Sequence, residues 1–344
     1  PRPRPRKSPP PNGLPLNRRP RSSRRCVALG GLSVGVLVNN GNGTFASLIA
    51  YLSGYGPNSV ALGDLDGDKD LDIAVSNGAN NNAGVLLNTG NGTFPAAAVY
   101  TVDDAPASVA LADLDGDGDL DMAVANANGD DASVMLNPGN GAFASQAFYV
   151  AADQPSSVAL ADLDGDGDRD MALANFNSDN ASVLLNNGNG TFAFRVNYLA
   201  GDGTVSVALG DLDADGDSDM VLANFNSDNA SVLLNNGNGT FAARVNYAAG
   251  DGSRSVALRD LDGDGDLDMA VANFNSNNAS VLKNNGNGTF AARVNYAAGT
   301  GPCSVALGDI DGDADPDMAV ANGTSDNVSV WLNTGNGVFM GRVN

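Results

Sequence analysis

Histidine and glutamate are both absent from this chain of 344 residues, and all forty acidic side chains are aspartate. Without histidine the usual general base near neutral pH is missing, as is the commonest zinc ligand, so a histidine-dependent triad is excluded. Cysteine is limited to Cys26 and Cys303. Two thiols make no disulfide framework; they could close a ring by joining its ends, but unpaired thiols are the favoured reading. No apolar run is long enough to span a bilayer, so membrane insertion is not expected. The chain starts with proline and no signal peptide, and reads as a fragment or processed product. Positive charge is scarce outside one place: nine of the eighteen Lys and Arg residues fall in the first 25 positions, against a formal net charge of −22. Such a body repels nucleic acid unless cations intervene, so no nucleic-acid partner is expected.

What is present is repetition. A nine-residue stretch holding five aspartates recurs every 49 residues. It reads DLDGDKDLD from Asp64, DLDGDGDLD from Asp113, DLDGDGDRD from Asp162, DLDADGDSD from Asp211, DLDGDGDLD from Asp260 and DIDGDADPD from Asp309. A second marker is Gly-Asn-Gly, then Thr, Ala or Val, then Phe. It places Phe45, Phe94, Phe143, Phe192, Phe241, Phe290 and Phe339 on the same period. Seven periods make 343 residues, nearly the whole chain.

Each unit carries four short strand signals. SVAL runs into the acidic loop, DMAVAN leaves it, ASVLLNN follows a polar turn, and TFAARVNYAAG follows an Asn-Gly hairpin signal. Alternating apolar positions such as Val256 and Leu258 argue for sheet, and no segment has a sustained helical stripe. The spacing predicts an all-β fold, a β-propeller of 49-residue four-stranded blades, with seven blades favoured, six the alternative and a parallel solenoid the rival. The first unit is degenerate: where the period calls for an acidic loop the chain has PLNRRPRSS, preceded by PRPRPRKSPPPNG. Pro/Arg-rich sequence resists a central strand. Residues 1–25 are therefore expected to be a disordered or non-native segment, and 26–344 a single propeller domain.

The acidic loops carry the chemistry. Their carboxylates occupy positions 1, 3, 5, 7 and 9: Asp64, Asp66, Asp68, Asp70 and Asp72 in the first loop, and Asp113, Asp115, Asp117, Asp119 and Asp121 in the second. Asp162, Asp164, Asp166, Asp168 and Asp170 follow, then Asp211, Asp213, Asp215, Asp217 and Asp219. Asp260, Asp262, Asp264, Asp266 and Asp268, and Asp309, Asp311, Asp313, Asp315 and Asp317, complete the set. Positions 1, 3 and 5 with a carboxylate farther along supply the oxygen ligands Ca²⁺ needs, and glycines at 4 and 6 permit the curl. The backbone carbonyl at position 7 is expected as a further ligand, with that side chain pointing outward. Left bare, carboxylates held within about 4–5 Å of one another repel strongly. About six Ca²⁺ ions would bring the formal charge from −22 to −10. Magnesium suits the loops less, because it demands a tight octahedron and keeps its waters. Glycosidases use paired carboxylates, but six copies at equal spacing point to a structural role rather than one asymmetric catalytic constellation.

At this point a resemblance can be named. The repeated SVALGDLDGDGDLDMAVAN and SVLLNNGNGTF resemble the FG-GAP and VCBS-type repeats of bacterial surface and secreted proteins over about residues 32–344. They are more distantly similar to the propeller of integrin alpha chains and to seven-bladed propeller lectins. The resemblance implies ligands at Asp64, Asp66, Asp68 and Asp72 and at the matching residues of the other loops. The Phe-Gly and Gly-Ala-Pro pieces that name the integrin version are missing. Adhesion modules, lectins and accessory domains of larger enzymes all occur in such families.

A partner would meet the face opposite the acidic loops, built from the NFNSDN and YAAGDGS connections. Three of these connections carry an aromatic flanked by asparagine: Phe176, Phe225 and Phe274. Gly78, Ala127 and Gly323 stand at the same position elsewhere. The rings either pack against neighbouring blades or stack a sugar. Tyr51, Tyr100, Tyr149, Tyr198, Tyr247 and Tyr296 share the period and are expected to pack and bond blade to blade. Arg195, Arg244, Arg293 and Arg342 are expected either to pair with loop aspartates or to stay in solvent, and Trp331 to fill the core. Recurrent Asn-Gly-Thr is read as hairpin chemistry rather than as glycosylation acceptors.

The leading expectation is a calcium-stabilised, non-catalytic, extracellular or cell-surface binding module, with a glycan or a cell-surface protein as partner and a monomeric state possible. Extracellular placement follows from millimolar calcium, where sites of about 10⁻⁴–10⁻³ M fill. A purely structural spacer, or an accessory domain of a larger secreted enzyme, is the alternative.

Overall fold

The computed structural model describes residues 24–29, 31–144 and 146–343. These residues form strands and no helix, gathered into seven antiparallel sheets. Six sheets have four strands in chain order. The first, made of Arg24–Leu29, Ser33–Val38 and Ile49–Leu52, has three. One full repeat runs Pro155–Ala161, Asp170–Asn175, Asn180–Leu184 and Val196–Leu199. The first strands of consecutive full sheets lie side by side and surround a central channel, while the fourth strands form the rim. This is the expected β-propeller.

Strand composition explains the layering. The second strand, DMALAN in this repeat, is buried at every residue, because both of its faces meet a neighbouring sheet. Its alanines let those sheets approach closely. The fourth strand VNYL is exposed except at its tyrosine. The core therefore lies between blades: Leu163, Ala172, Ala174 and Val183 of one sheet pack against Val207, Met220, Leu222 and Phe241 of the next. Tyr198 meets Phe241 edge-on at 5.2 Å, and its hydroxyl donates to the carbonyl of Gly239 at 3.3 Å. The same pair recurs from Tyr51 and Phe94 to Tyr296 and Phe339, so the tyrosines do pack and bond across blades. Trp331 is buried in the core beside the last sheet, as expected.

At the seam between the last and first sheets, Ile310, Ala319 and Val330 pack together with Phe45 and Val328 against them. The period assigns the first sheet's innermost strand to residues 8–14, which lie outside the described residues along with the rest of 1–23. The expected boundary between residues 25 and 26 falls inside the strand Arg24–Leu29. Cys303 is a free, partly buried thiol whose sulfur donates to the carbonyl of Ala321. No helix long and apolar enough to cross a membrane occurs among the described residues.

Candidate metal centres

Each acidic loop joins the first and second strands of a full sheet. In the loop 162–170, Asp162 accepts N–H bonds from Gly165 at 2.8 Å and Gly167 at 3.0 Å. Asp164 accepts from Asp166 at 3.3 Å, and Asp166 from Asp168 at 2.9 Å. Gly165 and Gly167 sit at φ 80° and 96°, the left-handed conformation this curl requires. Asp170 opens the second strand, fully buried, and accepts from the N–H groups of Leu163 at 2.8 Å and Asn186 at 2.7 Å. The loop is gripped from the next sheet as well: Asn235 donates its amide to the Leu163 carbonyl at 2.8 Å, and the Gly239 N–H reaches the same oxygen at 2.7 Å.

Positions 1, 3 and 9 converge. One carboxylate oxygen from each lies within 4.8 Å of the others in the sets Asp64, Asp66, Asp72; Asp113, Asp115, Asp121; Asp162, Asp164, Asp170; Asp211, Asp213, Asp219; and Asp260, Asp262, Asp268. In the last loop Asp317 is buried and feels the charges of Asp311 and Asp313. The position 5 residues Asp68, Asp117, Asp166, Asp215, Asp264 and Asp313 are exposed. Position 7 departs from expectation. Asp70, Asp119, Asp168, Asp217, Asp266 and Asp315 are partly buried rather than pointing outward. They lie on the first glycine of the hairpin turn in their own sheet; a Cβ on Gly188 would sit 2.5 Å from Asp168 Oδ2, and one on Gly286 2.6 Å from Asp266 Oδ2. Those side chains pack against the turn. The same contact puts the acidic loops and the NNGNG turns on one face, as chain geometry implies.

Electrostatically the clusters are unbalanced. Asp121, Asp170, Asp219 and Asp268 are pushed up to about 6, chiefly by burial, with the position 3 and 5 carboxylates adding to it against the pull of two backbone N–H bonds. Asp211 Oδ1, Asp213 Oδ1 and Asp262 Oδ1 are buried without a hydrogen-bond partner. Converging hard oxygens, partly orphaned and lacking nitrogen or sulfur donors, fit a hard divalent cation. Each such cluster can hold one metal ion.

The opposite face is where the copies stop agreeing. Every full first strand has a bulge just after its opening residue. A bulge re-aims a side chain. The re-aimed residues are Asn58, Ala107, Ser156, Val205, Arg254 and Cys303, six different types, and all line one cavity of ≈1360 Å³ that runs from the channel mouth into the seam. Phe176, Phe225 and Gln154 line it too. Phe274 lies beside it, 6.3 Å from the Phe225 ring and 5.2 Å beneath the Arg254 guanidinium. All three phenylalanines are partly buried, so they pack and still present a surface. The bulge residues are absent from the sequence-based candidates. Their signal is that the residue after each strand's opening Pro, Thr or Ser changes in every copy, while the Ser-Val-Ala-Leu that follows is the same in all six.

Arg195, Arg244 and Arg293 form no ion pair with the loops, and the Arg342 side chain lies outside the described residues. Arg195 stacks over Phe194 at 5.3 Å and donates to the Val150 carbonyl at 3.4 Å. In the Asn-Gly-Thr turn, Asn189 accepts both the N–H and the hydroxyl of Thr191, at 3.1 and 2.6 Å. That asparagine is built into the hairpin.

A family model described as an FG-GAP-like repeat matches residues 26–75, 67–124, 113–173, 162–222, 211–271 and 260–320. Among solved structures, the chain is similar to an Agrocybe aegerita lectin described as specifically recognising non-reducing terminal N-acetylglucosamine, with 21% identity, 91% of this chain and 90% of that one covered, and a TM-score of 0.62. It is similar to a Lactobacillus plantarum protein at 16% identity, covering 90% and 91%, with a TM-score of 0.66. It is also similar to the periplasmic gluconolactonase of Pseudomonas aeruginosa at 16% identity, covering 78% of each chain, with a TM-score of 0.58. At these identities the likeness is one of fold. No curated protein matches.

Proposed function

This chain belongs to the FG-GAP-like repeat family, and from that premise we propose that it is a calcium-stabilised, non-catalytic binding module of the extracellular or cell-surface space whose ligand is a glycan. The observation that carries the ligand reading is the cavity at the channel mouth. Its wall joins aromatic rings (Phe176, Phe225) to amides and hydroxyls (Asn58, Gln154, Ser156), and Arg254 is the one cation on it among the described residues. Rings stack on the apolar face of a sugar while amides and hydroxyls bond its edge, the usual division of labour in a small-molecule site. The likeness to a lectin of the same fold supports this reading.

Calcium supports the fold rather than the chemistry. Positions 1, 3 and 9 would hold the ion, position 5 being near enough in sequence to join them. The bound charge would tie the first and second strands together and neutralise carboxylates that burial otherwise disfavours. Catalysis lacks support: the chain has no histidine, and among the described residues the cavity wall has the single carboxylate Asp326 rather than a pair.

The test is a glycan-array screen of the purified chain in millimolar calcium and again after chelation. Binding lost on chelation is expected. Silence from folded, calcium-loaded protein removes the glycan and favours a protein partner or a spacer role.

A further inference from the structure

One cation is held against a converging carboxylate: Lys69 and Arg169 also stand within acidic loops, exposed and in no ion pair, whereas Lys283 reaches one. In three places the position 3 aspartate of a loop lies beneath the hairpin turn of the following sheet, covered by a side chain from the end of that loop's own third strand. That side chain is Leu136 beneath Gly190 beside Asp115, and Leu185 beneath Gly239 beside Asp164. Leu87, Leu234 and Leu332 occupy the matching place beneath Gly141, Gly288 and Gly43. In the sheet of residues 253–297 the place is taken by Lys283, beneath Gly337 and beside Asp262. Its ammonium lies 3.0 Å from Asp262 Oδ2 and donates to the carbonyl of Asn336 at 2.5 Å. This is the only ion pair among the described residues.

We infer that Lys283 makes the loop 260–268 the weakest calcium site of the chain, a site already part-neutralised by the protein and filled last. The inference rests on the calcium reading above. Asp262 is one of the three converging carboxylates, so an ion entering there meets a fixed positive charge on one of its own ligands. Repulsion between a monovalent and a divalent cation a few ångströms apart outweighs what any leucine contributes. Asp262 Oδ1 has no hydrogen-bond partner and stays open to the ion, but moving the ammonium away costs the lysine both the Oδ2 contact and the Asn336 carbonyl. Its side chain is 39% exposed, so solvent can receive it, and solvent screening limits the effect to about tenfold in affinity or somewhat more. In the empty state the same contact has the opposite effect, adding to the asparagine bonds a further tie from this loop to the following sheet.

The test is a calcium titration of the chelated full chain followed by amide NMR, with one probe in each loop. The Gly265 N–H donates to Asp260 and the Gly167 N–H to Asp162, both at 3.0 Å, so each reports its own site. The Gly265 signal is expected to move at about tenfold higher calcium than the Gly167 signal. Lys283→Leu restores the residue of the sister repeats, so it should fold, and it should bring the Gly265 midpoint down to that of Gly167. Leu185→Lys should raise the Gly167 midpoint and leave Gly265 alone. Equal midpoints in the unaltered chain, or a gap that Lys283→Leu leaves unchanged, overturn the inference while calcium binding stands. Amides that never respond to calcium remove the calcium reading and this inference with it.

Discussion

Asn39 donates its side-chain amide to the backbone carbonyl of Ile310 at 2.7 Å, joining the first sheet to the last across 271 positions of sequence. The five bonds Asn137 to Leu65, Asn186 to Leu114, Asn235 to Leu163, Asn284 to Leu212 and Asn333 to Leu261 each span 72 positions. The two spans together make 343, seven periods of 49. The closing contact is therefore the same contact as the others, carried once around the ring. Asn39→Ala should lower the melting temperature by an amount comparable to Asn235→Ala, each losing a buried amide bond of about 1–3 kcal/mol. An unchanged melt for Asn39→Ala beside a damaged Asn235→Ala would mean that the seam is not joined.

Positions 9 and 7 of one loop should behave differently. Asp268→Asn removes a converging ligand and leaves one of two backbone N–H donors, from Leu261 and Asn284, without an acceptor. In millimolar calcium it should lower the melting temperature by roughly 4–8 °C, and by less in chelator. Asp266→Asn, whose side chain lies on the hairpin glycine, should cost under about 2 °C in either condition. Equal losses from the two would contradict the ligand set.

Burial gives the metal-free chain an inverted pH response. Asp121, Asp170, Asp219 and Asp268 stand near 6 when folded against 3.8 for the ordinary group. Between those values the native chain holds more protons than the unfolded one, so stability falls as pH rises from about 4 to about 6 and levels off above. In chelator the melt should drop on the order of 5–10 °C between pH 4 and 7. In millimolar calcium the drop should vanish or reverse, because the ion replaces the proton. A chelated chain that grows more stable over that range would refute the assignment.

The channel mouth should bind without holding the fold. Phe225→Ala and Arg254→Gln are each expected to weaken the glycan found by array screening about tenfold or more, read by calorimetry. Their calcium-bound melts should stay within about 2 °C of the unaltered chain. A collapse of stability in Phe225→Ala would return that ring to inter-blade packing.

Much of this was legible in the chain because the repeat states each instruction many times. Five aspartates around two glycines announce a curled acidic loop, and Val256 and Leu258 announce a strand. The place of Asp266 was not legible, since a backbone carbonyl turned toward the ion at position 7 predicts an outward side chain, and only the hairpin folded beside it supplies the glycine surface it covers. Nor were Asn58 through Cys303, because a bulge is a matter of register between two strands, and sequence spacing alone does not show which residue of a pair is skipped.

The sequence by itself determined the period, the all-β layering and the donor chemistry of the loops, because these depend on residue type and on neighbours within a few positions. The tertiary structure decided which carboxylates converge, where Lys283 puts its charge and how Asn39 meets Ile310. Those outcomes depend on one sheet closing over the next, and that packing places side into contact groups that are tens to hundreds of residues apart in the chain.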